Sequence, residues 1–479
     1  MEIETQARVP RPFLNRALTS IRSVWRELAF GRNSTSRAIR PDLPDPDLGK
    51  LRNLMIDCIE EQGIETAARA EAAKLGYLYL TLSEVGRKRF LRLLTEEFGL
   101  DPRLVSTAVE AYLHEPGSES YARLQEALRP PRVHLLKMFN SLPEGFKFLV
   151  DLRADLLSFL KEDASLRELD HDLKSLFEAW FDVGLLTFED ISWDSPASLL
   201  EKLVAYEAVH AIRSWDDLKN RLDEDRRCYA FFHPKIPNEP LIFVEVALTK
   251  GIPSRIHDLL DLAAPVIDPH KANTAVFYSI SSTQQGLRGI SFGNFLLKQV
   301  TDRLARQHPG LRTFVTLSPI PGFRRWLLAA LAEGRAEELL DEEGRVGRLH
   351  AAVSGAESLS ELLEGNDWYQ DETISAALEE PLMRLCTHYL LHERNQVGKP
   401  RDPVERFHIF NGAKVERLNW LADTSEKGLA ESFGMMVNYL YEIDRLEENY
   451  ELFFAGEVAA SNAILKLDRS DRREGVAKE

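Results

Sequence analysis

The stretch from Thr274 to Lys298 constrains the fold most, because an apolar, β-branched run leads there through a glycine-bearing loop directly into a helical pattern. Glycines at positions 286, 289 and 293 allow a backbone to approach an anion closely. The first amide groups of the following helix would point at that anion with the positive end of the helix dipole. The pattern predicts a phosphate-binding loop, although glycines at many strand-to-helix turns serve only to turn the chain tightly.

The second half of the chain is predicted to be a mixed α/β domain. Four strand-like runs alternate there with helices, at Cys228–Phe232, Pro240–Thr249, Thr274–Ser282 and Arg312–Leu317. A helix from Gly293 to Gln307 would join the third and fourth strands as a βαβ unit. Further helices are expected from Ser195 to about Val209 and through an acidic insertion over residues 334–394.

The first half instead shows apolar residues at helical spacing, with clear start and stop signals. One such run includes Val85, Phe90, Leu93, Leu94 and Phe98, and Gly99 is expected to end it. Asp101 should cap the next helix, with Pro102 at its first position. Its expected buried stripe consists of Leu104, Val105, Ala108, Val109 and Tyr112. We predict an antiparallel helical bundle that acts as a scaffold or oligomer contact.

These patterns predict an α+β chain in four parts. Residues 1–47 form a basic, partly disordered arm, in which eight arginines lie between positions 8 and 40 but Glu2, Glu4 and Glu27 interrupt any resemblance to a mitochondrial leader. Residues 48–186 form the helical domain and residues 187–467 the mixed domain. Residues 468–479 form a charged tail that we expect to be disordered.

Composition excludes several classes of function. A formal charge of −16 argues against general affinity for nucleic acid, which depends on Lys and Arg. No apolar run approaches the roughly 18 residues that a membrane span requires. Three cysteines, Cys58, Cys228 and Cys386, are too few and too scattered for a disulfide framework or a zinc cluster. We therefore expect a cytoplasmic protein that binds neither nucleic acid nor membrane.

Five motifs, taken together, resemble the malonyl-CoA decarboxylase family. They are TAVFYSISSTQQGLRG, LSPIPGF, PLMRLC, FHIFNGA and NYLYEI, in matching order over about the last three-fifths of the chain. The resemblance implies an acetyltransferase-like (GNAT-like) catalytic domain and conversion of malonyl-CoA to acetyl-CoA and carbon dioxide without a metal or cofactor. It also implies a homo-oligomer, dimer or tetramer, that associates through the helical half.

The resemblance assigns the glycine-bearing loop to the diphosphate of coenzyme A. The residues concerned are Arg288, Gly289, Ile290, Ser291, Phe292, Gly293 and Asn294. Backbone amides would surround the anion and Arg288 would add a positive charge. Animal members of the family have a glutamate where this chain has Ser291, so an acid role of that glutamate does not transfer. Ser291 is expected instead to cap the helix.

The resemblance further implies a catalytic dyad of Ser318 and His408. Ser318 follows a predicted strand, at the edge of the sheet where α/β proteins bind ligands, and His408 follows a helix that Asp402 and Pro403 open. A histidine near neutrality can hold and release a proton, and a serine hydroxyl can relay it. Taken alone, Ser318 suits a turn and His408 suits a core, and only the family match favours catalysis.

Two more residues match family positions near the active site. Tyr441, in NYLYEI, would position the histidine or the substrate carboxylate, and ordinary core packing is the alternative. Ser279, in FYSIS, would face the site, with an inward strand serine bonded to the backbone as the alternative. His388 and His392 stand four residues apart on a predicted helix, but no third ligand is apparent, so we expect no metal site.

Two other functions use the same loop. A GNAT-type acyltransferase would pass an acyl group from coenzyme A to an amine, and its product would depend on an acceptor. A non-catalytic regulator would bind acyl-CoA and tolerate the loss of Ser318 or His408. Both residues standing in the family's motifs favour the decarboxylase.

Overall fold

The structure is a computed structural model that describes residues 21–29, 39–60, 65–181, 183–290, 295–341, 359–364 and 367–468. Its helices are α1 (residues 21–29), α2 (Asp45–Glu60), α3 (Glu65–Thr81), α4 (Glu84–Glu97), α5 (Pro102–His114), α6 (Ser118–Ala127), α7 (Pro131–Asn140), α8 (Gly145–Phe159), α9 (Arg167–Trp180), α10 (Ala197–Tyr206), α11 (Trp215–Arg221), α12 (Ile256–Leu260), α13 (Phe295–Gln307), α14 (Phe323–Ala332), α15 (Arg335–Asp341), α16 (Leu359–Glu364), α17 (Glu372–His392), α18 (Pro403–Phe410), α19 (Glu426–Ser432), α20 (Leu446–Phe454) and α21 (Asn462–Asp468).

One sheet organises the second half. Its strands are β1 (Thr187–Ile191), β2 (Arg226–His233), β3 (Ile236–Thr249), β4 (Thr274–Ser282), β5 (Thr313–Thr316), β6 (Ser318–Pro319), β7 (Lys414–Asn419) and β8 (Met436–Leu440). The order is β1-β2-β3-β4-β5-β8-β6, with β7 also paired to β8. Among the strands of the described residues, only β4 and β5 pair in parallel, and α13 lies between them in the chain, which confirms the predicted βαβ unit.

All four predicted strands are present, and four further strands were not predicted. The missed strands are β1, β6, β7 and β8. Each has at most six residues, and β8 reaches β5, β6 and β7 only through pairing between distant parts of the chain. Short runs carry a weak periodic signal, so local pattern does not separate them from loops.

The helical half and the sheet share one continuous apolar core. The main cluster of buried side chains includes Phe146 and Phe177 from the helices and Tyr229 and Phe231 from the sheet. At the junction, the His233 ring is stacked against both Phe146 and Phe181, with ring centroids 5.3 and 4.8 Å away. The predicted α+β fold class, helices first and a mixed sheet second, is confirmed.

Part of the expected N-terminal arm forms α1, whose Trp25 is fully buried and donates its indole N–H to the Pro143 carbonyl. For the helical half, one expectation is confirmed and one is wrong. Asp101 caps α5 as predicted. However, the expected stripe of α5 is largely exposed: only Ala108 is buried, and Leu104 and Val109 are open to solvent. Helices α5 and α6 contact each other, and no other described segment buries that face.

None of the helices in the described ranges is long and apolar enough to cross a membrane.

Candidate active site

Ser318 lies where the chain leaves strand β5 and enters strand β6. Strand β5 ends at Thr316, and the two-residue strand β6 then pairs Ser318 with Val437 of β8. The Ser318 hydroxyl is buried, 2.9 Å from the Thr316 hydroxyl. Thr316 Oγ1 in turn accepts the Tyr439 backbone N–H, at 3.1 Å. The serine is therefore held on a strand by groups from two neighbouring strands, not on a free turn.

His408 occupies the last turn of α18, whereas the sequence suggested that it follows that helix. Its Nε2 atom lies 3.2 Å from Ser318 Oγ, and its Nδ1 atom lies 2.7 Å from the Tyr441 hydroxyl. The imidazole is also stacked on the Tyr439 ring, at a centroid distance of 4.7 Å. Three of the predicted residues, Ser318, His408 and Tyr441, thus form one hydrogen-bonded chain although they are far apart in sequence.

Burial sets the protonation of this chain. Desolvation lowers the pKa of His408 to about 3, and it raises the pKa of Tyr441 well above its usual value of 10.0. Imidazole and phenol are therefore both neutral near pH 7. The Ser318 hydroxyl donates to Thr316 Oγ1, so Ser318 accepts from Nε2–H of the neutral imidazole, and Tyr441 donates to Nδ1. Such a chain can pass a proton in either direction.

Two residues that were not predicted from the sequence, Thr316 and Asn438, support the position of Ser318. Asn438 of β8, fully buried, donates from Nδ2 to the Thr316 carbonyl at 2.8 Å. Its Oδ1 atom accepts from Arg417 at 3.1 Å and from Asn419 at 2.9 Å. Thr316 offered a weak signal, because it stands two positions before Ser318 and so shares its side of the strand. Asn438 stands inside the NYLYEI motif, but nothing local marks it as a brace.

Asp402 joins the segment of Ser318 to the helix of His408. Its Oδ1 atom caps α18 by accepting from the Val404 and Glu405 amides, at 2.9 and 3.2 Å. Its Oδ2 atom accepts from the Gly322 amide at 3.1 Å, at the end of the Ser318-Pro319-Ile320-Pro321-Gly322 segment. The sequence indicated the cap, since Asp-Pro opens a helix, but not this second bond.

Ser279 belongs to a different group of hydrogen bonds. Its hydroxyl lies 2.9 and 2.8 Å from the two carboxylate oxygens of Glu207 and 3.3 Å from the Ser281 hydroxyl. Among the hydrogen bonds of the described residues, none joins Ser279 to Ser318, His408 or Tyr441. It nevertheless lies at the same end of the sheet, because β4 and β5 are parallel and pair up to Phe277 and Thr316.

The predicted diphosphate loop is described only in its first part. Arg288 and Gly289 are exposed, and Ile290 is buried. Gly289 has a φ of 77°, a left-handed conformation that favours glycine. The other predicted loop residues, Ser291, Phe292, Gly293 and Asn294, lie outside the described residues, as does the expected cap by Ser291.

The histidine pair of α17 is occupied by other contacts. His388 is stacked on Trp326, with ring centroids 6.0 Å apart, and His392 Nε2 lies 2.6 Å from Asp468 Oδ1. Within the described ranges, no group of three or more His, Cys, Asp or Glu side chains is arranged to hold a metal ion.

Comparison with known proteins gives one consistent family. Residues 184–478 match the family model of the malonyl-CoA decarboxylase C-terminal domain, and residues 98–181 match that of the N-terminal domain. The chain is 38% identical over 424 residues to malonyl-CoA decarboxylase, mitochondrial, of Rattus norvegicus, which covers 84% of this chain and 85% of the relative. A goose relative of the same description, from Anser anser anser, is 38% identical over 406 residues and 80% of each chain.

Solved structures agree in fold along nearly their whole length. A crystal structure of malonyl-CoA decarboxylase from Rhodopseudomonas palustris is 42% identical, with a TM-score of 0.81 over 88% of this chain and 99% of that one. The counterpart from Agrobacterium vitis is 40% identical, with a TM-score of 0.77 over 87% of this chain and 99% of that one. By its sequence and by its fold, this chain belongs to the malonyl-CoA decarboxylase family.

Proposed function

We propose that the chain decarboxylates malonyl-CoA to acetyl-CoA and carbon dioxide, with Ser318 and His408 as its catalytic dyad. The observation that carries the proposal is the 3.2 Å contact between Ser318 Oγ and His408 Nε2, formed by residues 90 positions apart. Membership of the family supports the reaction and substrate. The contact supports the assignment of the dyad, because it unites the two residues that the family motifs single out.

The reaction needs an electron sink and one proton. The bond between the carboxylate and the α-carbon of the malonyl group breaks, carbon dioxide leaves, and the electron pair passes into the thioester as an enolate. The α-carbon then takes a proton from the Ser318–His408–Tyr441 chain, which is replenished from solvent. A neutral imidazole suits this relay, since it accepts at one nitrogen while it donates at the other. Hydrogen-bond donors facing the thioester oxygen would stabilise the enolate.

The remaining predicted residues have supporting roles in this proposal. Tyr441 holds the imidazole through Nδ1, and Ser279 lines the acyl end of the site beside Glu207. The loop from Arg288 to Asn294 binds the diphosphate of coenzyme A, with Arg288 exposed for that contact. No cofactor or metal takes part.

A single assay tests the reaction. The purified protein is incubated with malonyl-CoA and no acceptor, while carbon dioxide and acetyl-CoA are measured. Equal amounts of both products are expected. Acyl transfer that appears only when an amine is added would establish the acyltransferase, and tight acyl-CoA binding with no product at all would establish the regulator.

The dyad is tested by substitution. Ser318→Ala and His408→Gln should each lower kcat by roughly 10²–10⁴-fold, the usual range for positioned acid–base groups, while coenzyme A still binds. His388→Gln is the matched control, because His388 is partly buried and, like His408, stacked on an aromatic ring, but makes no contact with the dyad. A near-native kcat in either dyad variant would remove that residue from the mechanism.

The loop is tested by charge reversal. Arg288→Glu should raise the KM for malonyl-CoA and leave kcat almost unchanged, because the diphosphate is bound equally in the ground state and the transition state. An unchanged KM would place the anion site elsewhere.

We further propose a homo-oligomer, dimer or tetramer, that associates through the exposed face of α5. Leu104, Val109 and Leu113 leave apolar surface on this face, and the adjoining helices carry both acidic and basic side chains, so a second copy can match it in shape and charge. The cytoplasm is our proposed compartment. Three free, buried cysteines are consistent with reducing conditions, whereas the names of the rat and goose relatives place those enzymes in mitochondria.

A further inference from the structure

We propose that Arg153, a residue of the helical half, is a positioning residue for the coenzyme A loop of the catalytic half. This inference rests on the proposed function of the loop that begins at Arg288. It assigns to the helical half a direct part in substrate binding, beyond the roles of scaffold and oligomer contact.

The guanidinium of Arg153 connects three parts of the chain. Its Nε atom donates to Asp170 of α9 at 2.8 Å. Its Nη1 atom donates to two backbone carbonyls of the catalytic half, Gly286 at 2.8 Å and Arg288 at 2.9 Å. These carbonyls stand two residues apart on the short 3-10 turn Gln285–Leu287 and its cap. One nitrogen therefore fixes the middle of this turn and the cap residue that leads into the loop.

The turn is also pressed directly against the helix that carries Arg153. Gly286 packs so closely on α8 that a Cβ atom at this position would lie 1.7 Å from the Val150 carbonyl oxygen. No side chain fits at that distance, which explains why the position holds glycine. Leu287 and Ile290 are buried on either side of Arg288. We call the contacts of Arg153 and Val150 with this turn the clamp. The backbone leaves the clamp at Gly289, which is exposed.

Burial makes the clamp firm. Arg153 is 2% exposed, and buried guanidinium groups need acceptors in fixed positions to offset the loss of water. If Arg153 is removed, the Gly286 and Arg288 carbonyls lose a charged donor inside the protein, and the turn can shift. A shift of the turn moves Gly289 and Ile290, and with them the start of the anion site, while the dyad on β6 and α18 keeps its own supports.

The experiment compares two substrates. Malonyl-CoA carries the diphosphate, whereas malonyl-pantetheine carries the same thioester and acyl group without diphosphate or nucleotide. Arg153→Met should raise the KM for malonyl-CoA by about tenfold or more, from the loss of hydrogen bonds to a charged group, with kcat changed by less than about twofold. The kcat/KM for malonyl-pantetheine should stay within about twofold of that of the unsubstituted protein.

Arg132 provides a matched control. It is also 2% exposed and also joins carboxylates, Asp172 and Glu168, to a backbone carbonyl, that of Thr95. All of these partners lie within the helical half. Arg132→Met should lower thermal stability as Arg153→Met does, but it should leave the KM for malonyl-CoA unchanged.

Two further variants cover the case in which Arg153→Met does not fold. Arg153→Lys keeps a positive charge but lacks the guanidinium, which bonds Asp170 from Nε and the two carbonyls from Nη1. Gly286→Ala forces the turn away from Val150 from the opposite side. Both should raise the KM for malonyl-CoA without changing kcat/KM for malonyl-pantetheine.

Three outcomes would overturn the inference: an unchanged KM for malonyl-CoA in the Arg153 variants, equal losses with both substrates, or the same KM increase in Arg132→Met. The proposed function fails separately, if the unsubstituted protein releases no carbon dioxide. In that event, calorimetry still tests the clamp by measuring the affinity for coenzyme A, with pantetheine as the control ligand that lacks the diphosphate. An unchanged affinity for coenzyme A in Arg153→Met would overturn the inference.

Discussion

His408 shows how burial and fixed partners keep a histidine neutral and oriented. Its two ring nitrogens have fixed partners, Ser318 and Tyr441, and its face rests on Tyr439. No charged group accounts for its lowered pKa, which results from burial alone. The imidazole therefore stays neutral across the physiological pH range, and its orientation does not depend on a carboxylate behind it.

Tyr441→Phe should lower kcat by about tenfold, because the variant leaves Nδ1 without its partner and the imidazole can rotate. The KM should change little, and the fold should persist, since the ring of residue 441 packs on Phe277 without the hydroxyl. Tyr439→Phe is the control: its hydroxyl is buried and has no hydrogen-bond partner within the described structure, so its removal should not affect kcat. Steady-state kinetics of both variants decide the point, and equal losses would contradict it.

Glu405 lies one turn before His408, with both carboxylate oxygens buried and without hydrogen-bond partners among the described residues. Burial, followed by the charge of Asp402, raises the pKa of Glu405 well above 4.5. The folded protein therefore retains a proton that the unfolded chain releases, so stability falls as pH rises from about 4.5 through the folded pKa.

Glu405→Gln should remove that dependence. Relative to the unsubstituted protein, the variant should gain free energy of unfolding between pH 5 and pH 8, because an amide does not titrate and its unfolded chain releases no proton. Urea unfolding at both pH values measures the gain, and a constant or reversed difference would show that Glu405 is ionised in the fold.

Helices α5 and α18 begin with the same Asp-Pro pair, but their two aspartates make different contacts. Asp101 and Asp402 each precede a proline and cap a helix through two backbone amides. Asp101 is exposed and does nothing further that the structure describes, whereas Asp402 is buried and also accepts from Gly322. The segments that carry Ser318 and His408 therefore meet at a single carboxylate.

Asp402→Asn should separate these duties. The amide oxygen still caps α18, but an NH₂ group placed at Oδ2 would face the Gly322 N–H, and a buried donor left unsatisfied costs about 1–3 kcal/mol. We expect lower thermal stability and a kcat reduced by about tenfold, since the distance between Ser318 and His408 is no longer held. Asp101→Asn should change neither quantity. If both variants behaved alike, Asp402 would be a cap only.

In the whole molecule, the helical half and the sheet are joined by a common core and by the hydrogen bonds of Arg153. They share the core around Phe146 and Tyr229, and Arg153 extends that contact to the loop before Gly289. The α5–α6 hairpin keeps several apolar side chains in contact with solvent. Such surface is typical of a protein–protein contact.

Leu104→Glu combined with Leu113→Glu should therefore shift the protein to a smaller oligomer without loss of stability, since neither side chain is buried in the described fold. The matched control is Leu262→Glu with Val266→Glu, which are similarly exposed in the catalytic half. Light scattering gives the mass of each variant. An unchanged mass in the hairpin variant, or the same change in the control, would place the interface elsewhere.

Several elements of this fold could be predicted from residues that are close together in the chain. Helical spacing and the Asp-Pro caps located the bundle, β-branched runs located β2, β3, β4 and β5, and the order of strand, helix and strand determined the βαβ unit. Family motifs, read from the same residues, pointed to Ser318 and His408. Each of these signals lies within a few residues of the structure that it predicts.

Contacts between distant parts of the chain became evident only in the folded protein. The sequence could not show that β8 pairs with β5, β6 and β7, that Thr316 and Asn438 brace Ser318, or that Asp402 and Arg153 each serve a second segment. It also predicted a buried stripe on α5 that is exposed, because amphipathic spacing shows that a face is apolar but not which partner covers it. Hydrogen bonds and packing across long chain separations arise from the assembled fold, and local propensity carries no record of them.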